Sequence, residues 1–330
     1  MKKTTIEPGL APLYLHSAIR GLAALSKALG VRQNVLEKLA LSAETLYRVA
    51  RSEVKSDGSI RQTYDALPRL KAVQIRIKER LLQRVIFPSY LHGSLRERSP
   101  RTNAATHIRA KITFAEDISN FFPSASRALV HRVWKDLFGF SEDVAALLTT
   151  LTTKDGGLPQ GAVTSSYLAN LIFWDYEPDL VKTLALRGLR YSRYVDDITV
   201  SSRLGIKASD KTYVISQIYG MLLHHGFTPK RKKHEITSAA KSMRTTKLVH
   251  HTRVSLPITE RKKTRAAVYA LELRVSAGES GPGVMKELAS VSTRVGRLGS
   301  FHKTQAMALK KRLDVVRATL NTFEASPTVS

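Results

Sequence analysis

The 330-residue chain is predicted to fold as α+β, and three observations lead there. Amphipathic helical stripes and alternating β-rich runs both occur, but not in the regular strand–helix–strand order that a doubly wound parallel sheet requires. The apolar fraction, 43%, is at the globular norm and supplies a packed core. Most of the Asp residues lie between residues 112 and 229, among the β-rich segments, with strongly basic segments on either side.

At the N terminus, Met1-Lys2-Lys3-Thr4-Thr5-Ile6 has the charge of a signal peptide's first region, but Glu7-Pro8-Gly9 stands where its apolar stretch would begin. Leu22, Leu25 and Leu29 form a helical stripe that stops at Gly30, a natural C-cap. Leu36 and Leu39, then Leu46 and Val49, continue the pattern, so residues 1–60 are expected to be an N-terminal helical region. Pro68 suits the first turn of a helix that carries Leu70, Val73, Ile77, Leu81 and Val85 on one side. Arg69, Arg76, Lys78, Arg80 and Arg84 cover much of the remainder. Lys111 to Asp117 alternates apolar and polar residues like a strand and ends in a carboxylate. Gly156 to Gly161 reads as a loop, and Thr164 to about Glu177 as a helix stopped by Pro178. Arg190 to Ser202 is β-rich but interrupted by Asp196-Asp197, the pattern of a hairpin with carboxylates at its tip. The C-terminal third returns to helices, broken at Gly278 to Gly283, and the residues after about Phe323 are expected to fray.

Lys and Arg number 53 against 27 Asp and Glu, a formal net charge of +26, which points to a polyanionic partner. From Arg69 to Lys111 there are 11 basic and 2 acidic residues, from Lys230 to Arg265 12 and 2, and from Lys286 to Arg317 8 and 2. Each segment alone reads more readily as a solvated helix face; together, around the acidic centre, they suggest acidic chemistry inside a positive cleft. The absence of Cys excludes a disulfide framework, a Cys-ligated zinc module and a Cys nucleophile. No apolar run approaches the ~20 residues of a membrane helix. The expectation is a cytoplasmic protein that faces nucleic acid and no membrane.

Asp117, Asp196 and Asp197 sit on β-rich elements, and the 79 residues from Asp117 to Asp196 let them meet only on neighbouring strands of one sheet. Two carboxylates suffice for Mg²⁺ when substrate phosphates complete its oxygen shell, and a pair of such ions activates the attacking hydroxyl and the leaving oxygen of a phosphoryl transfer. A lone Asp on a strand would as readily be a turn residue or a salt bridge; the string Tyr194-Val195-Asp196-Asp197 is more distinctive. His224-His225 and His250-His251 lack Cys or acidic residues at metal-ligand spacing and read as surface or RNA-facing imidazoles. Trp134 and Trp174 read as core. The basic stretch Arg294 to Leu313 reads as a helix docking on duplex or merely solvated.

Tyr194-Val195-Asp196-Asp197 resembles the YxDD box of reverse transcriptases. Ahead of it, in order, Phe114-Ala115-Glu116-Asp117-Ile118-Ser119-Asn120-Phe121-Phe122-Pro123-Ser124 resembles the family's first-carboxylate motif, and Leu158-Pro159-Gln160-Gly161-Ala162-Val163-Thr164-Ser165 its LPQG motif. His92-Gly93 through Arg98-Ser99, then Asn103-Ala104-Ala105-Thr106-His107, is similar to a segment of bacterial retron-type enzymes. The resemblance spans roughly residues 40 to 320.

It implies a right-hand polymerase: fingers at 61–110 with part of 123–160, an antiparallel palm at 111–245 carrying the catalytic Asp residues, and a connection and helical thumb at 246–330. It also implies an RNA-directed DNA polymerase. By the same resemblance Asp117, Asp196 and Asp197 are the catalytic triad; Asp117 and Asp196 hold two Mg²⁺ ions, with Asp197 beside them and Ile118 offering its carbonyl. Phe122 is the sugar gate against a 2′-OH, Gln160 contacts the incoming dNTP, and Gly161 allows close backbone approach there. Lys233 stands near the lysine that meets pyrophosphate, or else contacts template phosphate. Arg98 and Arg101 are candidates for triphosphate or template contacts. The implied partners are a structured non-coding RNA serving as template and primer, the RNA–DNA duplex, dNTPs and an effector protein. The implied product is branched RNA–DNA (msDNA) used in antiphage defence. No stretch is left for an RNase H or intron-type endonuclease domain, so template removal is expected to fall to another protein.

Two features depart from the pattern. The retron VTG triplet corresponds to Thr245-Thr246-Lys247-Leu248-Val249-His250-His251, where the Gly is missing, and Asn120 stands where an acidic residue is commoner. The missing Gly motivates an alternative, a defence-associated reverse transcriptase that is not a retron and makes protein-primed or weakly templated DNA. A third reading, a non-catalytic RNA-binding scaffold, fits the charge equally, but the three clustered carboxylates argue against it.

Overall fold

A computed structural model describes residues 9–54 and 58–325; the expectations for the first six residues and for the last five lie outside the described residues. The chain divides into two compact units, Met1–Thr246 and Lys247–Ser330.

The first unit begins with β1 (Leu13–Tyr14), α1 (Leu22–Leu29) and α2 (Gln33–Leu41). Gly30 ends α1 at φ 60°, the left-handed conformation a C-cap needs. Leu25, Leu29, Leu36 and Leu39 are buried, as their spacing predicts. The helical pattern does not continue: Leu46 precedes an antiparallel hairpin of β2 (Tyr47–Val54) and β3 (Ile60–Ala66). α3 (Pro68–Arg80) starts at Pro68 and buries Leu70, Val73 and Ile77, while Val85 belongs to β4 (Val85–Ile86), which pairs with β1. Part of the basic stripe on α3 turns inward. Arg76 donates to the Leu29 and Gly30 carbonyls at 3.1 and 3.0 Å and Arg80 to that of Ala28 at 3.0 Å, closing the carbonyl end of α1, where cations are favoured.

α4 (Pro100–Thr106) opens with a Ser99–Thr102 capping box and leads to β5 (Ile112–Asp117). After α5 (Phe121–Ser124), α6 (Arg127–Arg132) and α7 (Glu142–Thr152) comes α8 (Ser165–Leu171). The expected long helix is two: Pro178 does not stop it but lies in the first turn of α9 (Glu177–Leu186), where a missing N–H costs nothing. β6 (Leu189–Tyr194) and β7 (Asp197–Ser202) form the predicted hairpin, followed by α10 (Ala208–His224) and β8 (Glu235–Ser238).

The four central strands form one antiparallel sheet in the order β6-β7-β5-β8. By strand alternation, Thr113, Ala115 and Asp117 share a face with Ser192, Thr199 and Ser201, whereas Phe114, Ile198, Val200, Tyr191 and Arg193 share the other. On the first face the buried ring of His107 bonds Ser201 and Ser192, each at 2.7 Å, fastening the end of α4 across β6 and β7. The second face joins the main core with Leu180 and Leu184 of α9 and Ile218 and Met221 of α10.

The second unit contains α11 (Ile258–Ser276), α12 (Pro282–Gly299) and α13 (Lys303–Ala325), which bury Leu271, Val275, Leu288, Val291, Leu313 and Val316 against one another. Thr246 and Lys247, within the segment that lacks the expected glycine, take positive φ of 47° and 65°, a conformation that glycine makes most cheaply. Among the described residues no helix is long and apolar enough to cross a membrane.

Candidate active site

Asp117 closes β5 and Asp197 opens β7, and the two are direct partners in the register. Asp196 lies in the β6–β7 turn, and its carbonyl accepts the Ile118 N–H at 3.3 Å. Val195, before it, has φ 59°, an outlying conformation for a β-branched residue. Sheet pairing thus brings together carboxylates that are far apart in sequence. Asp117 and Asp196 line one open cavity of about 770 Å³; Asp197 is exposed and lies outside its lining.

The walls come from four segments. Ile118, Asn120, Phe121, Phe122 and Pro123 follow β5; Gln160 comes from the loop before α8; Arg61 and Gln62 come from the β2–β3 hairpin; Lys230 and Lys233 follow α10. Phe122 is half-buried, set edge-on to Phe121 with ring centroids 5.8 Å apart, and its carbonyl accepts the Leu158 N–H at 3.0 Å. The Gln160 carbonyl accepts the Tyr64 N–H at 2.7 Å and its side-chain oxygen accepts Arg61 Nε–H at 3.1 Å. Gly161 has φ 105°, and a Cβ there would come within 2.8 Å of the Tyr64 carbonyl, so only glycine lets this loop lie on β3. Asn120 adopts φ 44°, a conformation Asn tolerates better than most residues.

Within Lys230–Lys233 the geometry selects a register. The Lys230 N–H donates to the Asp117 carbonyl at 2.7 Å, and the turn that follows puts the Lys233 ammonium on the Asp117 carboxylate. That contact raises the Lys233 pKa. Asp117 is only 6% exposed. Burial, and then the charge of Asp117, push the Asp196 pKa up. Two carboxylates whose proximity raises the cost of ionising both offer hard oxygen donors, the donor set that suits a hard divalent cation.

Arg98 and Arg101 are not brought to this cavity. The Arg98 guanidinium donates to the Phe87 carbonyl at 2.8 Å and also to the carbonyls of Pro88 and Leu91, so it braces its own loop. Arg101 is exposed on α4 and does not line the cavity. One member of each histidine pair departs from the expectation: His225 and His250 are buried, whereas His224 is exposed. His225 lies beside an acidic residue that sequence spacing does not reveal, with Nε2 2.8 Å from Asp175 and Nδ1 2.9 Å from the Met221 carbonyl. Asp175, His224 and His225 come close enough together to hold an ion, but Asp175 is already paired with Arg132 at 2.5 Å, and its pKa sits at about 2. Trp134 is fully buried, and Trp174 packs half-buried against the core.

Arg61, Gln62 and Lys230 line the cavity without having been expected from the sequence. For the hairpin residues the available signal is Asp57-Gly58, a dipeptide that favours tight hairpins.

No family model matches the chain. Retron Se72 reverse transcriptase of Salmonella heidelberg is 31% identical over 320 residues, 96% of this chain and 84% of that protein. Retron Ec48 reverse transcriptase of Escherichia coli is 33% identical over 321 residues, 92% and 77%. Retron Ec86 reverse transcriptase of Escherichia coli is 30% identical over 204 residues, 61% and 63%. Among solved structures, a telomerase from Candida albicans in complex with a telomeric RNA fragment has a TM-score of 0.40 at 11% identity, over 73% of this chain and 47% of that one. With its near-full-length likeness to the Se72 and Ec48 enzymes, the chain belongs to the retron reverse transcriptases, which are RNA-directed DNA polymerases.

Proposed function

We propose that the chain copies a cognate structured non-coding RNA into single-stranded DNA, starting from a ribose 2′-OH of that RNA and so producing branched RNA–DNA. The observation that carries the nucleotidyl transfer is the meeting of Asp117 and Asp196 in one cavity with Phe122, Gln160, Arg61, Lys230 and Lys233 around them; the structured RNA and the 2′-OH start are proposed from the likeness to retron reverse transcriptases. Asp117, Asp196 and the Ile118 carbonyl would hold two Mg²⁺ ions, with Asp197, the register partner of Asp117, as the third member of the triad. When bound, they supply Lewis-acid activation of the attacking hydroxyl and the leaving oxygen.

The attacking hydroxyl, first the ribose 2′-OH and then the 3′-OH of each added nucleotide, loses its proton to water and forms a bond to the α-phosphorus of a dNTP. The bond from that phosphorus to the bridging oxygen breaks, and pyrophosphate leaves. Arg61 and Lys230, which line the cavity, would neutralise the triphosphate, and Lys233 would exchange its Asp117 contact for the departing pyrophosphate. Gln160, steadied by Arg61, positions the nucleotide, and the Phe122 ring fills the space of a ribose 2′-OH. The surplus of basic residues binds the RNA and the RNA–DNA product through their phosphates. A role in antiphage defence with an effector protein rests on the family alone.

The test is to express the chain with its flanking genomic DNA and sequence the nucleic acid that copurifies. A discrete single-stranded DNA joined to RNA, absent from Asp196→Ala, is expected. Long or unlinked DNA would instead support the protein-primed or weakly templated alternative, and RNA alone in both samples would favour the scaffold.

A further inference from the structure

Behind the turn that carries Asp196, on the other face of the sheet, lies a second charge cluster that takes no part in the cavity. Arg193, next to last in β6, is fully buried, and each of its five N–H donors meets an acceptor. Nε and Nη2 fork onto Glu177 at 2.6 and 2.8 Å. Nη1 donates to the Val195 carbonyl at 3.0 Å and to that of Ala169 at 3.2 Å, and Nη2 also to that of Asn170 at 3.0 Å. Glu177 further accepts the Tyr191 hydroxyl at 2.6 Å.

These acceptors belong to three different segments. Val195 is the residue before Asp196. Ala169 and Asn170 lie in α8, the helix that the Gln160 loop leads into. Glu177 opens α9. A fourth segment closes the frame: the Arg193 N–H donates to the Tyr90 carbonyl and the Arg193 carbonyl accepts from His92, both at 2.9 Å. Asn170 Nδ2 donates to the Gly93 carbonyl at 2.7 Å. Gly93 lies so close to the turn that a Cβ would come within 2.7 Å of the Val195 nitrogen. A β-branched residue at positive φ persists only where its surroundings over-determine it, and the turn before Asp196 is held on every side.

We infer that Arg193, clamped by Glu177, is a positioning residue: it holds the strained Val195–Asp196 turn and the end of α8 in one frame, and so fixes Asp196 relative to Gln160. The inference rests on the reading of Asp196 as a metal-holding carboxylate. Stability alone would not call for this arrangement, because apolar side chains of similar volume commonly serve as well as a buried ion pair. Five directed bonds from a rigid planar fork specify position, and a lysine ammonium cannot reproduce them.

The test uses the full-length chain with Arg193→Lys and Tyr191→Phe, and Asp196→Asn as a separate control. The readouts are RNA affinity, Mn²⁺ binding by electron paramagnetic resonance, and primer extension across a Mg²⁺ titration. Arg193→Lys should leave RNA affinity unchanged, yet weaken Mn²⁺ binding and raise the Mg²⁺ needed for half-maximal extension by about 10- to 100-fold, the usual effect of removing a ligand's support. Tyr191→Phe, which removes one bond to Glu177, should move both in the same direction by less, and it carries the test if Arg193→Lys does not fold. Unchanged Mn²⁺ affinity in the folded variants, or Mn²⁺ and RNA binding weakened to the same extent in Tyr191→Phe, would overturn the positioning role. An Asp196→Asn protein that still extends at full rate would remove the underlying reading instead.

Discussion

The two sides of the β6–β7 turn hold buried charge in opposite ways. Behind it, Glu177 and Arg193 satisfy each other and the surrounding carbonyls completely. In front of it, Asp117 leans on a Lys233 side chain that is more than half exposed, and Asp196 is held above the usual carboxylate range by burial and by Asp117. A charge cluster whose needs are met internally is architecture. One left unbalanced beside an open cavity is prepared for a ligand, and its imbalance is a cost that function explains.

That contrast is most easily broken by mutation on each side. Asp196→Asn should lower DNA synthesis at least about a thousandfold, if the carboxylate's role in holding an ion is worth several kcal/mol. Its melting temperature should hold or rise, because an unfavourable buried charge is removed. Glu177→Gln should do the reverse to stability, lowering it by about 3–5 kcal/mol in urea denaturation because Arg193 is left buried without its counter-charge. Equal destabilisation by the two substitutions would collapse the distinction.

A smaller effect is expected at the cavity wall. Phe122→Ala should raise the use of ribonucleotides relative to dNTPs by up to about a hundredfold, the range over which an apolar pocket rejects an added hydroxyl. Unchanged discrimination in competitive incorporation would remove the gate role.

The smallest concerns the loop behind the turn. Burial, and then Arg98, lower the His92 pKa to about 4. The unfolded chain, with an ordinary histidine near ~6.5, therefore takes up the proton first. Stability that is fully present above that value should be lost as pH falls from about 6.5 to about 4. His92→Gln should flatten the pH dependence of unfolding in that window.

Legibility in the sequence followed pattern strength. The strand ending in Asp117, the hairpin around Asp196 and the stripe ending at Gly30 each combine a clear period with a clear stop signal, and the structure has all three. The β2–β3 hairpin hid because seven of the eight β2 residues are exposed, so no apolar alternation marks it, while Leu46 and Val49 mimic a helical step. Pro178 is compatible with both a stop and a first turn, and sequence does not choose between them. Basic density does not tell whether a guanidinium faces solvent or a carbonyl; Arg76, Arg80 and Arg98 all face carbonyls. The pairing of Arg193 with Glu177 depends on how α9 packs on β6, which no local period reports.

The most direct test of the account is dNTP incorporation on an RNA template by the purified chain, beside Asp117→Asn and Asp196→Asn, with RNA affinity measured on the same samples. The wild-type chain should extend, and both variants should bind RNA equally well without extending. Extension by either variant at the wild-type rate, or a wild-type chain that binds RNA and incorporates nothing with Mg²⁺ or Mn²⁺ present, would contradict it.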